Sequence, residues 1–384
     1  MSRSRSGGKL GSVGIWSAAA VVCVAAGGAV AVRTLEPAAP TGIRLQVNGI
    51  GAMTVSRAAH QATMLPDGRV LVTGGCANQG CERILASAEI FDPDSRTFTA
   101  VTSMSTPRAS HVAVALPDGR VLVAGGWTGR SATASAEVYD PDADRWSAVG
   151  DMTAPRASLI ATPLPDGRVL VTGGGEGGLG DIASAEVYDP AAATFSPAGT
   201  MRASHYLATA LSDGRVLLTG GQDADGTIVG SAEIFDPVIA QFRPTGDMTV
   251  PRVKHGAALL GDGTVLIVGG SDRRGYRGRF SSTEIYDPAT GTFSAGPSMR
   301  WGRHKLRDAI VVLRSGGVLV AGGATRLEVL DPATRTFTQV DGTLSGPQMF
   351  ATATLLTDGD VLLLGGYNDH TRPSDGAWLV GPER

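Results

Sequence analysis

Lysine is almost missing from this chain. Lys9, Lys254 and Lys305 are its only three, so nearly all of the 33 basic residues are arginine, and the body has no basic run like those that neutralise phosphates. Acidic residues number 36 and the formal charge is -3, which excludes the phosphate-neutralising surface of a nucleic-acid binder. Aromatic residues make up 5% and charged residues 18%. So little charge argues against a disordered or coiled-coil chain. Cysteine is confined to Cys23, Cys76 and Cys81, too few for a disulfide-dense scaffold. Glycine is what abounds, with 53 among 384 residues. That is roughly twice the usual share and suits short strands joined by tight turns.

One long apolar run is present. Residues Leu10 to Val32 carry no charge, follow Arg3, Arg5 and Lys9, and precede Arg33 and the stretch Glu36-Pro37-Ala38-Ala39-Pro40. This predicts an N-terminal signal or membrane-anchor segment over 1–33 and a linker over 34–42, with the positive flank holding the N-terminus inside. Residues 43–384 would then be extracytoplasmic, either membrane-anchored through residues 10–32 or secreted. Ala29-Val30-Ala31 fits a cleavage site, but the run is long enough to span a bilayer, which favours an uncleaved anchor. Val22 before Cys23 fits a lipoprotein signal poorly. In an oxidising compartment Cys76 and Cys81 are expected to form a disulfide, because no nearby His or further Cys completes a zinc site.

The strongest signal is repetition. Gly-Gly pairs begin at residues 74, 125, 173, 220, 269, 322 and 365, spaced 43 to 53 apart, a period that points to propeller blades. Before each pair lies a hairpin pattern, seen in His111 to Leu116, Pro117-Asp118-Gly119-Arg120 and Val121 to Ala124. Asp-Gly between apolar runs marks a tight turn; the equivalents begin at Asp67, Asp166, Asp213, Asp262 and Asp358, with Gly316-Gly317 in the sixth copy. A third strand follows, such as Glu137-Val-Tyr-Asp-Pro141, and then a fourth with one aromatic residue: Phe98, Trp146, Phe195, Phe242, Phe293 or Phe337. The second strand is almost wholly apolar, as a strand covered on both faces requires. The predicted fold is therefore all-β: seven four-stranded blades. The seventh copy ends after Ala377 to Val380, so Ile43 to Val47 is expected to supply its missing fourth strand.

With a double glycine after an apolar strand, an aromatic before Asp-Pro and an aromatic in the fourth strand, residues 43 to 382 resemble the kelch-repeat family. The resemblance implies a seven-bladed propeller and admits several functions, since kelch propellers include protein-binding modules, carbohydrate-active enzymes and copper oxidases. Galactose oxidases of this class bind copper through two tyrosines and two histidines, one tyrosine being joined to a cysteine. Here His205-Tyr206 reverses the Tyr-His order and both body cysteines share one loop, so no catalytic position is carried over. No cofactor or metal is expected.

Strand alternation places the variable loops on one face. Candidate binding residues there are Trp127 and Arg130, the run Arg273, Arg274, Tyr276 and Arg277, suited to an anionic group, and Asp369, His370 and Arg372. An Arg-x-x-His motif recurs as Arg57/His60, Arg108/His111, Arg202/His205 and Arg252/His255, with Arg156 and Arg303 lacking the His. Such a ring suits an anion or a metal, but a feature copied in most blades is better read as structural, with Arg paired to the third-strand Glu. The expected function is a monomeric module binding a protein or glycan through its loop-rich face. The alternative is a carbohydrate-active enzyme, a sugar isomerase or mutarotase or a galactose oxidase-like oxidase.

Overall fold

The computed structural model describes residues 44–175, 182–272 and 278–382. These form seven antiparallel sheets of four strands. Blade 1 comprises Gln61–Met64, Val70–Thr73, Ala88–Asp92 and Thr97–Val101, and blades 2 to 6 repeat that order over 112–148, 160–200, 204–244, 256–295 and 310–339. Blade 7 takes three strands from the C-terminus, Thr352–Leu355, Val361–Leu364 and Ser374–Gly381. Its fourth is the N-terminal strand Gln46–Arg57, which pairs antiparallel with Ser374–Gly381. This strand begins later than the Ile43 expected from sequence and runs on to Arg57 at the edge of blade 1. Among the described residues the only helical element is the short 3-10 turn Gln79–Cys81, and no helix is long and apolar enough to cross a membrane. Residues 10–32 lie outside the described chain.

The second strands are buried from end to end, as in Val70–Thr73 and Val361–Leu364. The apolar cores lie between blades: Leu71, Ile90, Val121 and Tyr139 join blades 1 and 2, and Val70, Phe91, Leu362 and Leu379 join blades 1 and 7. No blade covers both its faces alone, so ring closure buries them all. Each fourth-strand aromatic packs on its third-strand neighbour, for instance Tyr139 on Trp146 with ring centroids 4.8 Å apart.

The double glycines are required by a close approach between blades. At Gly74 φ is +59°, and a Cβ there would sit 2.3 Å from the Arg108 carbonyl oxygen of the next blade. In the sixth blade the turn register differs from the sequence expectation. Gly316 N–H bonds the Leu313 carbonyl and Leu313 N–H bonds that of Gly317, so Ser315-Gly316, not Gly316-Gly317, replaces Asp-Gly.

Candidate functional site

The repeated arginines point into the blades. Arg57, Arg108, Arg156, Arg252 and Arg303 are fully buried and pair with Glu89, Glu137, Glu186, Glu284 and Glu328 at 2.8, 2.9, 3.1, 2.9 and 2.8 Å. Each also donates to the carbonyl of the first glycine of its own blade's pair, Arg57 to Gly74 at 2.7 Å and Arg108 to Gly125 at 2.8 Å. Burial alone would raise the Glu137 carboxyl, but hydrogen bonds from Ser105 and Arg108 outweigh it and hold it below its ordinary value. The arrangement joins Arg to Glu rather than gathering the arginines around one ligand.

The histidines of the motif form a second set of bonds, between blades. His60 meets the Thr352 hydroxyl at 3.0 Å, His111 that of Thr73 at 2.9 Å and His255 that of Thr219 at 2.9 Å. Burial, reinforced by the adjacent arginine, pushes His60 down to about 3 and His111 and His255 well below their ordinary value. All three rings are neutral at physiological pH.

Blade 4 corrects the motif reading. Arg202 is exposed, while His205 takes the buried arginine's place, bonding the Gly220 carbonyl at 2.9 Å and Glu233 at 2.8 Å. Blade 7 replaces both partners: Gln348 stands where the arginine would be, and Trp378, opposite Leu363, where the glutamate would be. The cation and its carboxylate are lost together, as expected where either alone would be an uncompensated buried charge.

Around the axis on the loop-rich face runs a chain of main-chain hydrogen bonds. The residue two beyond each buried arginine or Gln348 has positive φ in Ala59, Ser110, Ser158, Lys254, Lys305 and Phe350. Ser158 N–H donates to Ser110, Ser110 to Ala59, Ala59 to Phe350, Phe350 to Lys305 and Lys305 to Lys254, at 2.7 to 3.3 Å. Blade 4 has no such residue, because only Tyr206 separates His205 from Leu207, the partner of Thr219. The chain is therefore open between Ser158 and Lys254. Blade 6 has the reverse irregularity. Ala309 pairs with Ala321 as Gln61 does with Thr73, which leaves Arg307-Asp308 as two extra residues. Arg307 reaches over the axis to donate to the Leu159 carbonyl at 2.6 Å and the Ser158 carbonyl at 3.0 Å, and its guanidinium lies 5.0 Å from the Tyr206 ring centre.

Outside this annulus Trp127 is half-buried, bridged to Ala109 through both main-chain groups, and Arg130 is exposed. Asp369 pairs with Arg279 at 2.6 Å. Exposed His370 and Arg372 sit on a turn whose main-chain N–H groups donate to the Asn368 side chain. Lys305 donates to the Tyr367 hydroxyl and lies 5.2 Å from the Phe350 ring centre; burial first, then nearby Lys254 and Arg279, lower its ammonium to about 8. Cys76 and Cys81 form a disulfide. Arg273, Arg274, Tyr276 and Arg277 lie outside the described residues. Sequence reasoning assigned no role to Lys305, Tyr206 or the Arg307-Asp308 pair, although the changed spacing between each methionine and its turn marks blades 4 and 6.

Residues 58–105, 108–153 and 252–300 match the Kelch motif. The chain is a seven-bladed propeller that carries this motif in blades 1, 2 and 5. Outside those stretches lie blades 3, 4, 6 and 7, of which blade 3 keeps the common Arg–Glu pair and the other three depart from the common pattern. No curated protein matches the chain. Among solved structures it is similar to a fungal alcohol oxidase of the AA5 family, described in complex with copper: TM-score 0.69, 19% identity, covering 86% of this chain and 75% of that one. That likeness concerns the fold. A galactose oxidase-like copper set is not assembled among the described residues: Cys76 and Cys81 are bonded to each other, four histidines bond Thr or Glu within and between blades, and Tyr139, Tyr188 and Tyr286 pack on fourth-strand aromatics.

Proposed function

We propose that this kelch-like propeller is an exported or membrane-anchored binding module that holds a protein partner or a glycan on its loop-rich face. The observation that carries this reading is the division of polar groups between two settings. Repeated Arg, Glu and His side chains are occupied inside and between blades, whereas the groups that differ from blade to blade, Trp127, Arg130, Arg279 with Asp369, His370 and Arg372, gather on one face. Irregular side chains on a regular scaffold are where recognition is built. Export is supported by the apolar run at residues 10–32 and by the Cys76–Cys81 bond, which suits an oxidising compartment.

The test is affinity capture from cell-envelope extracts, and on an array of neutral and acidic glycans, using the full chain. A variant carrying Arg130→Glu and Arg372→Glu should lose the captured species, while Arg120→Glu and Arg168→Glu on the opposite face should keep it. Equal capture by both variants would remove the reading. The oxidase reading has the AA5 likeness in its favour, and alcohol-dependent peroxide formation by the copper-supplemented chain would establish it instead.

A further inference from the structure

Beneath the annulus the axis opens into a cavity of about 310 Å³, at the lower end of the roughly 300–1,000 Å³ usual for small-molecule sites. Its walls come from first strands of six blades, and the residues that recur there are small: Ala62, Ala113, Ala161, Ala208 and Ala353. Into these walls the two-residue insertion of blade 6 places an arginine and an aspartate. The Arg307 guanidinium is directed at the carbonyls of blade 3. The Thr352 hydroxyl, also in the lining, is engaged by His60. Gln61 donates through its amide nitrogen to the His60 carbonyl and to Asp308 Oδ2, each at 3.2 Å. Among the described residues no donor reaches Asp308 Oδ1 or the Gln61 amide oxygen, so both acceptors are presented to the cavity. Burial raises the Asp308 carboxyl above its ordinary value, and Arg307 opposes that rise.

The chemistry of the occupant follows by exclusion. An anion would meet the Asp308 carboxylate. A metal ion would find one carboxylate and one amide oxygen, short of the four or more ligands that zinc, calcium or magnesium take. An ammonium ion would meet the neighbouring Arg307 guanidinium. A neutral molecule with several hydroxyl groups can donate to Asp308 Oδ1 and Gln61 Oε1, and its C–H surface fits the alanine walls. We infer that the axial cavity is a binding site for a small neutral polyol of monosaccharide size, with Asp308 as its anchoring acceptor. This site is separate from the loop-face reading and stands or falls without it.

The test is calorimetric titration of the full chain with glucose, galactose, mannose and myo-inositol, with glucosamine and glucuronate as charged controls. One neutral compound should bind saturably at pH 7 and neither control should. Asp308→Ala should weaken that binding at least ten-fold, and Ala161→Leu, which fills the cavity while leaving Asp308 in place, should abolish it. No saturable binding by any of the neutral compounds overturns the inference, as does preference for glucosamine or unchanged affinity in both variants. Should the variants fail to fold, a crystal structure with the bound polyol decides: density at the axis supports the site, and density elsewhere overturns it.

Discussion

Arg307 of the sixth blade donates to the main-chain oxygen of Leu159 in the third, at 2.6 Å across the propeller axis. This bond exists because two irregularities compensate. Blade 4 lacks the residue that would continue the annulus from Ser158, and blade 6 has two residues more. A hydrogen bond from a charged donor contributes about 1.5–3 kcal/mol. Arg307→Met, which keeps the length of the side chain, should therefore lower the unfolding free energy by about 2 kcal/mol. Hydrogen exchange should speed up at Ser158 and across the junction of blades 3 and 4, leaving blade 1 protected. Unchanged exchange there would mean that the annulus needs no strut.

The buried ion pairs make a second expectation. Arg108→Gln leaves the Glu137 carboxylate buried with main-chain donors from Ser105 and Thr106 but without its cation. Removing one partner of a buried pair costs about 3–5 kcal/mol. The double change Arg108→Gln with Glu137→Gln should be less destabilised than Arg108→Gln alone, since blade 7 already closes with Gln348 and Trp378 in those places. Urea unfolding of the two singles and the double gives the coupling; strictly additive losses would contradict the pairing.

Acid should destabilise the fold before its carboxylates titrate. His60 is lowered to about 3, and His111 and His255 lie well below 6.5. Below pH 6.5 the unfolded chain binds protons at these positions and the folded chain does not, so stability is complete above that pH and falls as pH drops. Each such group contributes about 1.4 kcal/mol per pH unit. The urea midpoint should fall between pH 6.5 and 4.5, and His111→Gln should show a shallower fall. A flat profile in that window would show that the imidazoles are not held neutral.

The blades were legible in the sequence because they repeat short-range chemistry: Asp-Gly for the turn in all but the sixth, double glycine for the close approach and, in blades 1 to 5, an aromatic pair across strands three and four. The clasp was legible from counting seven hairpins against six aromatic fourth strands. The Arg-x-x-His register misled at Arg202/His205, where local spelling matched but two residues are missing between the buried side chain and the first strand. Nothing in the sequence pairs Arg307 with Leu159, because that contact is set by how the ring closes. The axial acceptors Asp308 and Gln61 were hidden for the same reason, lying in different blades and meeting only at the axis.

The clasp itself gives the last expectation. Strand Gln46–Arg57 supplies blade 7 with its outer strand and, at its end, supplies blade 1 with Arg57, which holds Glu89 at 2.8 Å. Gln46 also bridges to Asp341 at the end of blade 6. Losing the strand would bare the edge of Ser374–Gly381 and leave the Glu89 carboxylate buried without its cation, two costs at opposite sides of one seam. A chain lacking residues 1–57 should fail to fold cooperatively and should aggregate, whereas one lacking residues 1–43 should melt at the temperature of the full chain. Thermal melting followed by circular dichroism separates the two, and a cooperative transition in the shorter chain would show that blade 7 stands on three strands.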